Sequence, residues 1–382
     1  MLKMVQSLFA AKANPIGIDF GGETLRMAQV QLFEGEYRLT AAASASIPSS
    51  IRKDAGARLK FLAGACRSAY TRGKFSGKQA VIGMPSSMMH VQHLRLPKMD
   101  DESLRKALPW EARGKIAIEP SQAILRHFVA GEIFQDQETK LEVILMAVER
   151  ETVDQLIRIA EMSRLDVIGL TPEPQALLDC FRGLFKKKNP EIDTTMYIDI
   201  GFSGTRVIVG HDESILFARF IPIGGDQFNY AASVALKIPA HEARKRRIQL
   251  AAASGDDPKS GTAVDVISEP LTAKRMAERG LINEACKDPL DRLVTELELC
   301  RNYHEATFPN RPIGRIVFVG GESMQRSLCQ KIAKSLGIAA QLGDPMVRLG
   351  RTSRISADSG LDVLSPQPAW AVAIGLSIGS QK

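Results

Sequence analysis

The sequence predicts an α/β chain of two related halves, with a small α/β module inserted in the first. Three observations predict it. The hairpin pattern "GIDFGGETLRMAQV" returns as "YIDIGFSGTRVIV", with Asp19 and Asp199 in equivalent places about 180 residues apart. A repeat on that scale marks a duplicated supersecondary unit. A further glycine turn, Gly320-Gly321-Glu322, ends an apolar run and opens a helical one, and residues 86–168 change character between the two hairpins.

The elements follow in order. Residues 16–20 and 24–32 read as strands around Gly21-Gly22, and 37–48 make a third. Leu59, Leu62, Ala63, Cys66 and Tyr70 recur at helical spacing within 55–73, and 78–85 is a strand ending in Gly-Met-Pro. Within 86–168, "VQHLRLPKM" is a short strand and "DDESLRKALPWEARGKI" a helix opened by Asp100 or Asp101. Pro109 is expected to kink or interrupt that helix. Residues 123–133 and 140–150 pair as strands, and 150–165 form a helix. A helix over 171–185 and a polar linker over 186–195 precede the second run of strands, 196–225. Then come helices over 226–236 and 240–252, a loop over 254–270 rich in Gly, Ser, Asp and Pro, and one helix over 271–306. The strand 315–323, the helix 324–337, the strand 339–345 and an apolar helix over 369–379 complete the chain. The domain reading is 15–85, 169–192 and 369–382 for the first half, 86–168 for the module and 193–368 for the second half.

Composition narrows the function. The chain has 382 residues, 45% hydrophobic and 24% charged, enough for a large core. Its net charge of +7 is dispersed, with one run at Arg244-Lys245-Arg246-Arg247 that reads as a solvated helix face; no nucleic-acid partner is expected. Five scattered cysteines without a CxxC pair point to reduced thiols and a cytoplasmic location. The start lacks the long apolar middle of a secretory signal, and no apolar run is long enough to span a membrane. Met1, Leu2, Val5, Leu8 and Phe9 read as a frayed terminus or one face of a short helix. The histidines lack metal-binding spacing, and "FSGKQ" lacks the spacing of a phosphate loop.

The glycine turns carry the chemistry. Glycine lets backbone N–H groups approach an anion closely, and a nearby hydroxyl adds a donor. Asp19 and Asp199, at strand ends, are placed to hold hydrated Mg²⁺ or to orient water. A helix opening after Gly-Gly lets a base or ribose pack on the backbone.

Two such hairpins and a strand-to-helix glycine turn resemble the actin, Hsp70 and hexokinase superfamily, whose two RNase H-like halves enclose a nucleotide cleft. "IGIDFGGETLRM" is similar to its first phosphate motif, "YIDIGFSGTRVIV" to its second, "FVGGESMQRSLCQKIAKSLGIAAQLGDP" to its adenosine motif and "AVAIGLSIG" to its C-terminal connecting helix. "LTPEPQALLDC" stands at the first connecting helix. The insert, with "LRLPKMDDESLRKALPWEARGKIAIEP", resembles the type IV pilus assembly protein PilM family, itself similar to the division protein FtsA and to the actin-like part of type II secretion assembly proteins.

The resemblance implies ATP and Mg²⁺ as ligands. It implies Asp19, Glu173 and Asp199 as the acidic catalytic set, with Mg²⁺ held through water by Asp19 and Asp199. Nucleotide contacts are expected from Gly21, Gly22, Thr24, Arg26, Gly201, Ser203, Thr205, Gly224, Gly225, Arg247, Gly320, Gly321 and Glu322. Arginine replaces the family's lysine at Arg26 and Arg247, and two further departures bear on the phosphates and the ribose. Glu23 stands among small hydroxyl residues of the first motif, where a carboxylate facing a phosphate would repel it, and Arg244 replaces an acid near the ribose. The implied role is a cytoplasmic scaffold with at most slow ATPase activity. It is peripheral to the inner membrane through the short N-terminal tail of a PilN-like assembly protein, and self-association is a further expectation. The tail is expected in a groove between the insert and the first half, near Arg105, Trp110, Arg113, Ile116 and Arg126. The alternatives are a scaffold with an empty site and a sugar kinase of the same superfamily.

Overall fold

The computed structural model describes residues 14–52, 54–182, 194–252, 273–351, 355, 357–362 and 364–379. The N-terminal apolar face and the loop over 254–270 lie outside the described residues, as does most of the linker 186–195.

Three sheets organise the chain. The first is built from β1 (Ile16–Phe20), β2 (Thr24–Phe33), β3 (Glu36–Ser46), β4 (Gln79–Met84), β8 (Asp166–Pro172) and β14 (Gly350–Arg351), in the order β14-β3-β2-β1-β4-β8. β1 is buried along its whole length because helices cover both sheet faces. On one side lie α1 (Ala55–Gly73) and α3 (Arg150–Met162), which contribute Leu62, Cys66, Leu156 and Ile159 to the core. On the other lie α4 (Glu173–Phe181) and α10 (Ala371–Gly379). The N-cap of α1 is Asp54, whose side chain accepts from the Ala57 N–H, and its C-cap is Lys74 in the left-handed region.

The second sheet repeats the arrangement. β9 (Thr194–Ile200), β10 (Thr205–His211), β11 (Ser214–Ile221), β12 (Arg315–Val319) and β13 (Ala340–Leu342) lie in the order β11-β10-β9-β12-β13. In each half an antiparallel hairpin lies beside a parallel strand: β1 pairs with β2 and β4, and β9 pairs with β10 and β12. Around this sheet come α5 (Gly225–Leu236), α6 (Ala240–Ala252), α7 (Ala273–Ala285), α8 (Lys287–Thr307) and α9 (Arg326–Leu336). The single helix expected over 271–306 is two helices parted at Cys286. Pro289 supplies the reason: it has no N–H for the carbonyl four residues back, and its ring crowds that carbonyl, but it suits a first turn.

Close backbone approach seats α10 within the first half. A Cβ at Gly375 of α10 would overlap the Ala176 carbonyl of α4, and one at Gly17 of β1 would overlap the Ala373 carbonyl. Only glycine at these two positions lets α10 wedge between α4 and the first sheet.

The third sheet belongs to the insert. β5 (His90–Pro97), β6 (Ala123–Gln135) and β7 (Glu138–Glu149) lie in the order β5-β7-β6. Alternation along β7 divides its faces. Leu141, Val143 and Leu145 pack with Leu104 and Leu108 of α2 (Asp101–Ala112), while Ile144 and Met146 join the main core. Pro109 sits inside α2 without interrupting it, because the carbonyl it leaves without an intrahelical donor belongs to exposed Arg105. The expected insert of 86–168 is too long at its C-terminal end. Val153, Leu156 and Ile159 place α3 in the first half's core, and Asp166–Pro172 is the edge strand of the first sheet.

A polar joint ties the insert to the second half. Glu142, fully buried, accepts from Tyr303 at 2.6 Å, lies 3.2 Å from His93 Nδ1 and receives Arg95 Nε at 3.3 Å. His93 Nε2 lies 3.2 Å from the Ala218 carbonyl of β11, and its ring stacks on Phe217. Burial alone would raise Glu142, but the hydrogen bonds from His93 and Tyr303 outweigh it and hold the carboxyl below the usual range.

Candidate functional site

The two Asp–Gly hairpins meet across one cleft, which encloses about 860 Å³, part of it open to solvent. They touch: a Cβ at Gly22 would overlap the Ser203 hydroxyl. Asp19, Gly21, Gly22, Thr24 and Arg26 line it from the first hairpin, and Asp199, Gly201 and Ser203 from the second. Glu173 lines it from the start of α4, and Gly320, Gly321 and Glu322 from the turn after β12.

Not every sequence-predicted residue faces this space. Thr205 is fully buried and donates to the Ile223 carbonyl at 2.7 Å. Gly224 and Gly225 lie behind the second hairpin, where the Gly225 N–H donates to the Gly201 carbonyl at 2.9 Å. Arg247 sits behind Glu322, 2.8 Å from its carboxylate, and donates through Nη2 to Asn229 at 2.9 Å. The basic run 244–247 is therefore solvated only in part: Lys245 and Arg246 are exposed, Arg247 is buried, and Arg244 pairs with Glu23.

The cleft floor is a buried charge network. Cross-strand register sets Asp19 opposite Arg26 and Asp199 opposite Arg206. Arg206 lies 2.7 Å from Glu173 and 3.0 Å from Asp199 Oδ2; the latter contact is ionic, because Nε is off the hydrogen-bond direction. Glu173 also accepts the Ser86 N–H at 2.7 Å. Burial, then the neighbouring Glu173 carboxylate, push Asp19 up to about 7. Burial raises Asp199 and lowers Arg26. It would lower Arg206 as well, but Asp199, Glu173 and Asp19 outweigh it and raise that guanidinium.

Arg206 was not among the expected site residues, although a signal was present. An arginine follows each repeated aspartate at the same interval, in "DFGGETLR" and "DIGFSGTR". Arg52 had no local signal; it reaches the cleft mouth only through the fold.

The departures at Glu23 and Arg244 meet at that mouth. Glu23 lies 2.9 Å from Arg244 of the opposite half and 3.0 Å from Arg52 of its own. The Arg52 guanidinium covers the Phe202 ring of the opposite hairpin at 4.8 Å. Glu23 is turned sideways into a clasp across the cleft.

Expected ligands differ in how well the cleft suits them. A Cβ at Gly321 would meet nothing within 4 Å, so this turn borders open space. Beside the cleft, a second hollow is lined by Phe228, Arg247, Ile282, Asn283, Cys286, Leu290, Gln325, Ser327, Leu328 and Lys331. The donor set does not fit Mg²⁺ at Asp19 and Asp199. Arg206 already holds the facing oxygens of Asp199 and Glu173, and Arg26 stands beside Asp19 at 3.9 Å. Asp199 Oδ1, buried without a hydrogen bond, is wedged against Gly320. Among the described residues no three or more His, Cys, Asp or Glu side chains are grouped so as to hold a metal ion.

Two duplicated halves joined by crossing helices around paired Asp–Gly hairpins form the actin-like ATPase fold. The Type IV pilus assembly protein PilM sequence model matches residues 17–254, and that of Cell division protein FtsA matches 196–375. The chain belongs to the PilM family. A "PilM-PilN type IV pilus biogenesis complex" chain superposes with TM-score 0.76 at 18% identity, covering 97% of this chain and 99% of that one. MreB 5 of Spiroplasma citri bound to AMPPNP gives TM-score 0.50 at 11% identity, covering 97% and 96%. "Cell division protein FtsA" of Pseudomonas aeruginosa is 27% identical over 188 residues. That match spans 48% of this chain and 42% of the relative, less than half of either. Among the described residues, no helix is long and apolar enough to cross a membrane.

Proposed function

We propose that the chain is an actin-like nucleotide-binding scaffold of pilus assembly, cytoplasmic at the inner face of the inner membrane. It docks the N-terminal tail of a PilN-like membrane partner and thereby stays peripheral to the bilayer. The observation that carries the nucleotide reading is the meeting of the two glycine hairpins beside the open Gly321 turn. The turns would hold phosphates, and the neighbouring hollow would take the base between Phe228, Ile282, Leu290 and Leu328. Because phosphates between the hairpins would touch both halves, nucleotide would favour the closed arrangement. The AMPPNP-bound relative of the same fold supports this reading.

Partner docking rests on family membership and on the insert's surface. Trp110 is 71% exposed on α2, with the Arg113 guanidinium over its ring, and Phe134 is 78% exposed near the end of β6. Such aromatic and arginine side chains are frequent anchors. Calorimetry with ATP tests the cleft, and a labelled synthetic N-terminal peptide of the PilN-like partner tests the insert. No heat with ATP and no peptide binding would reject the proposal.

A second reading, a scaffold without nucleotide, is favoured by the Glu23–Arg244 clasp, which joins the halves through protein groups alone. Absence of ATP binding with retained peptide binding would select it.

A further inference from the structure

Rather than leaving room for a cation, the cleft floor is filled with guanidinium. We propose that the cleft binds the polyphosphate of a nucleoside triphosphate without a divalent cation, Arg26 and Arg206 supplying the charge a metal would bring. This rests on the nucleotide reading of the same cleft.

The two hairpins are built alike. Each sets an arginine across the ladder from its aspartate, Arg26 from Asp19 and Arg206 from Asp199. Each guanidinium also stands beside its own glycine turn. Arg26 Nη1 lies 3.8 Å from the place of a Cβ at Gly21, and Arg206 Nη2 lies 3.1 Å from that at Gly201. At Gly21 the Thr24 carbonyl is nearer still, at 2.7 Å, and at Gly201 the Gly204 carbonyl shares the space at 3.2 Å, so in both turns the cation stands at the edge of the glycine. A phosphate held by either turn's backbone N–H groups therefore meets positive charge at once. Arginine is suited to this position because its guanidinium is planar, permanently charged, weakly hydrated and able to bind phosphate through two parallel hydrogen bonds.

The same contacts leave little for a metal. Mg²⁺ needs near-octahedral oxygen donors and gives up its water reluctantly. Glu173 Oε2 accepts both the Ser86 N–H and Arg206, and Asp199 Oδ2 faces Arg206. Every carboxylate facing the cleft has a guanidinium beside it: Glu23 has Arg52 and Arg244, and Glu322 has Arg247.

The test is calorimetric titration of the full chain with ATP, once with excess Mg²⁺ and once with EDTA. The proposal expects dissociation constants within about threefold of each other, far from the tenfold that one 1.4 kcal/mol interaction would make. Binding with Mg²⁺ that is lost or weakened tenfold or more in EDTA would overturn the metal-free inference and leave the nucleotide reading standing. No binding in either buffer would overturn both. The variant Arg206→Lys, which frees part of Glu173 and Asp199, should acquire dependence on Mg²⁺; if it stays as indifferent as the wild type, Arg206 is not the replacement for the metal. Circular dichroism confirms that the variant is folded, and the wild-type pair of titrations decides the inference without it.

Discussion

Glu23→Ser should tighten ATP binding about tenfold. In the wild type the carboxylate lies 3.0 Å from Arg52 and 2.9 Å from Arg244, and Glu23 and Arg244 line the cleft that a polyphosphate would enter. A carboxylate about 6 Å from a phosphate charge, at an effective dielectric between about 20 and 80, repels it by roughly 0.7–2.8 kcal/mol. At an intermediate dielectric of about 40 the repulsion is about 1.4 kcal/mol, tenfold in affinity. Serine removes the repulsion and leaves two guanidiniums free for phosphate. The lost Arg244 pair costs little in the free protein: with that side chain 38% exposed, it is worth at most about 1 kcal/mol. Calorimetry of wild type and variant under one salt condition is the assay, since salt screens these charges. An unchanged or weakened affinity would refute the reasoning, showing that Glu23 does not compete with the ligand.

Three further outcomes are expected. Asp19 has its carboxyl raised from 3.8 to about 7 in the folded chain, so the native state binds the extra proton and stability falls as pH rises from about 4 to 7; Asp19→Asn should flatten that part of a pH–denaturation profile, and an unaltered slope would show that Asp19 is not the titrating group. Gly375→Val would drive a side chain into the Ala176 carbonyl and should cost about 3 kcal/mol or more, read as a fall in the thermal midpoint; a midpoint within a degree of wild type would mean that α10 and α4 do not cross as described. Trp110→Ala, at a residue 71% exposed, should change stability by no more than about 0.5 kcal/mol while weakening the PilN-like peptide tenfold or more, and equal peptide affinity would move the docking site off α2.

Local patterns in the sequence determined much of this protein. Alternation and glycine turns mark the two hairpins because a strand's side chains have a period of two and only glycine permits such close backbone approach. The repeat of "GIDFGGETLR" in "YIDIGFSGTR" predicts the duplicated fold, and Asp19, Glu173, Asp199 and Gly320 do meet at one cleft. Helical periodicity places α1 at its observed residues, 55–73. Tertiary structure decided what pairs with what. Glu23 and Arg244 are 221 positions apart and look separately like flaws in a phosphate site; folded, they neutralise each other across the mouth. The basic run 244–247 has a solvated helix's composition, yet burial and Glu322 make Arg247 structural. Thr205 has the residue type of a phosphate ligand, but the Ile223 carbonyl takes its hydroxyl. α3 is read from sequence as part of the insert, and its apolar face packs on the first half instead. The physical reason is common to all four. A residue's type and local spacing set its backbone preference and its chemical capacity. Which distant charge, carbonyl or apolar face satisfies that capacity depends on contacts that form only when the chain is closed.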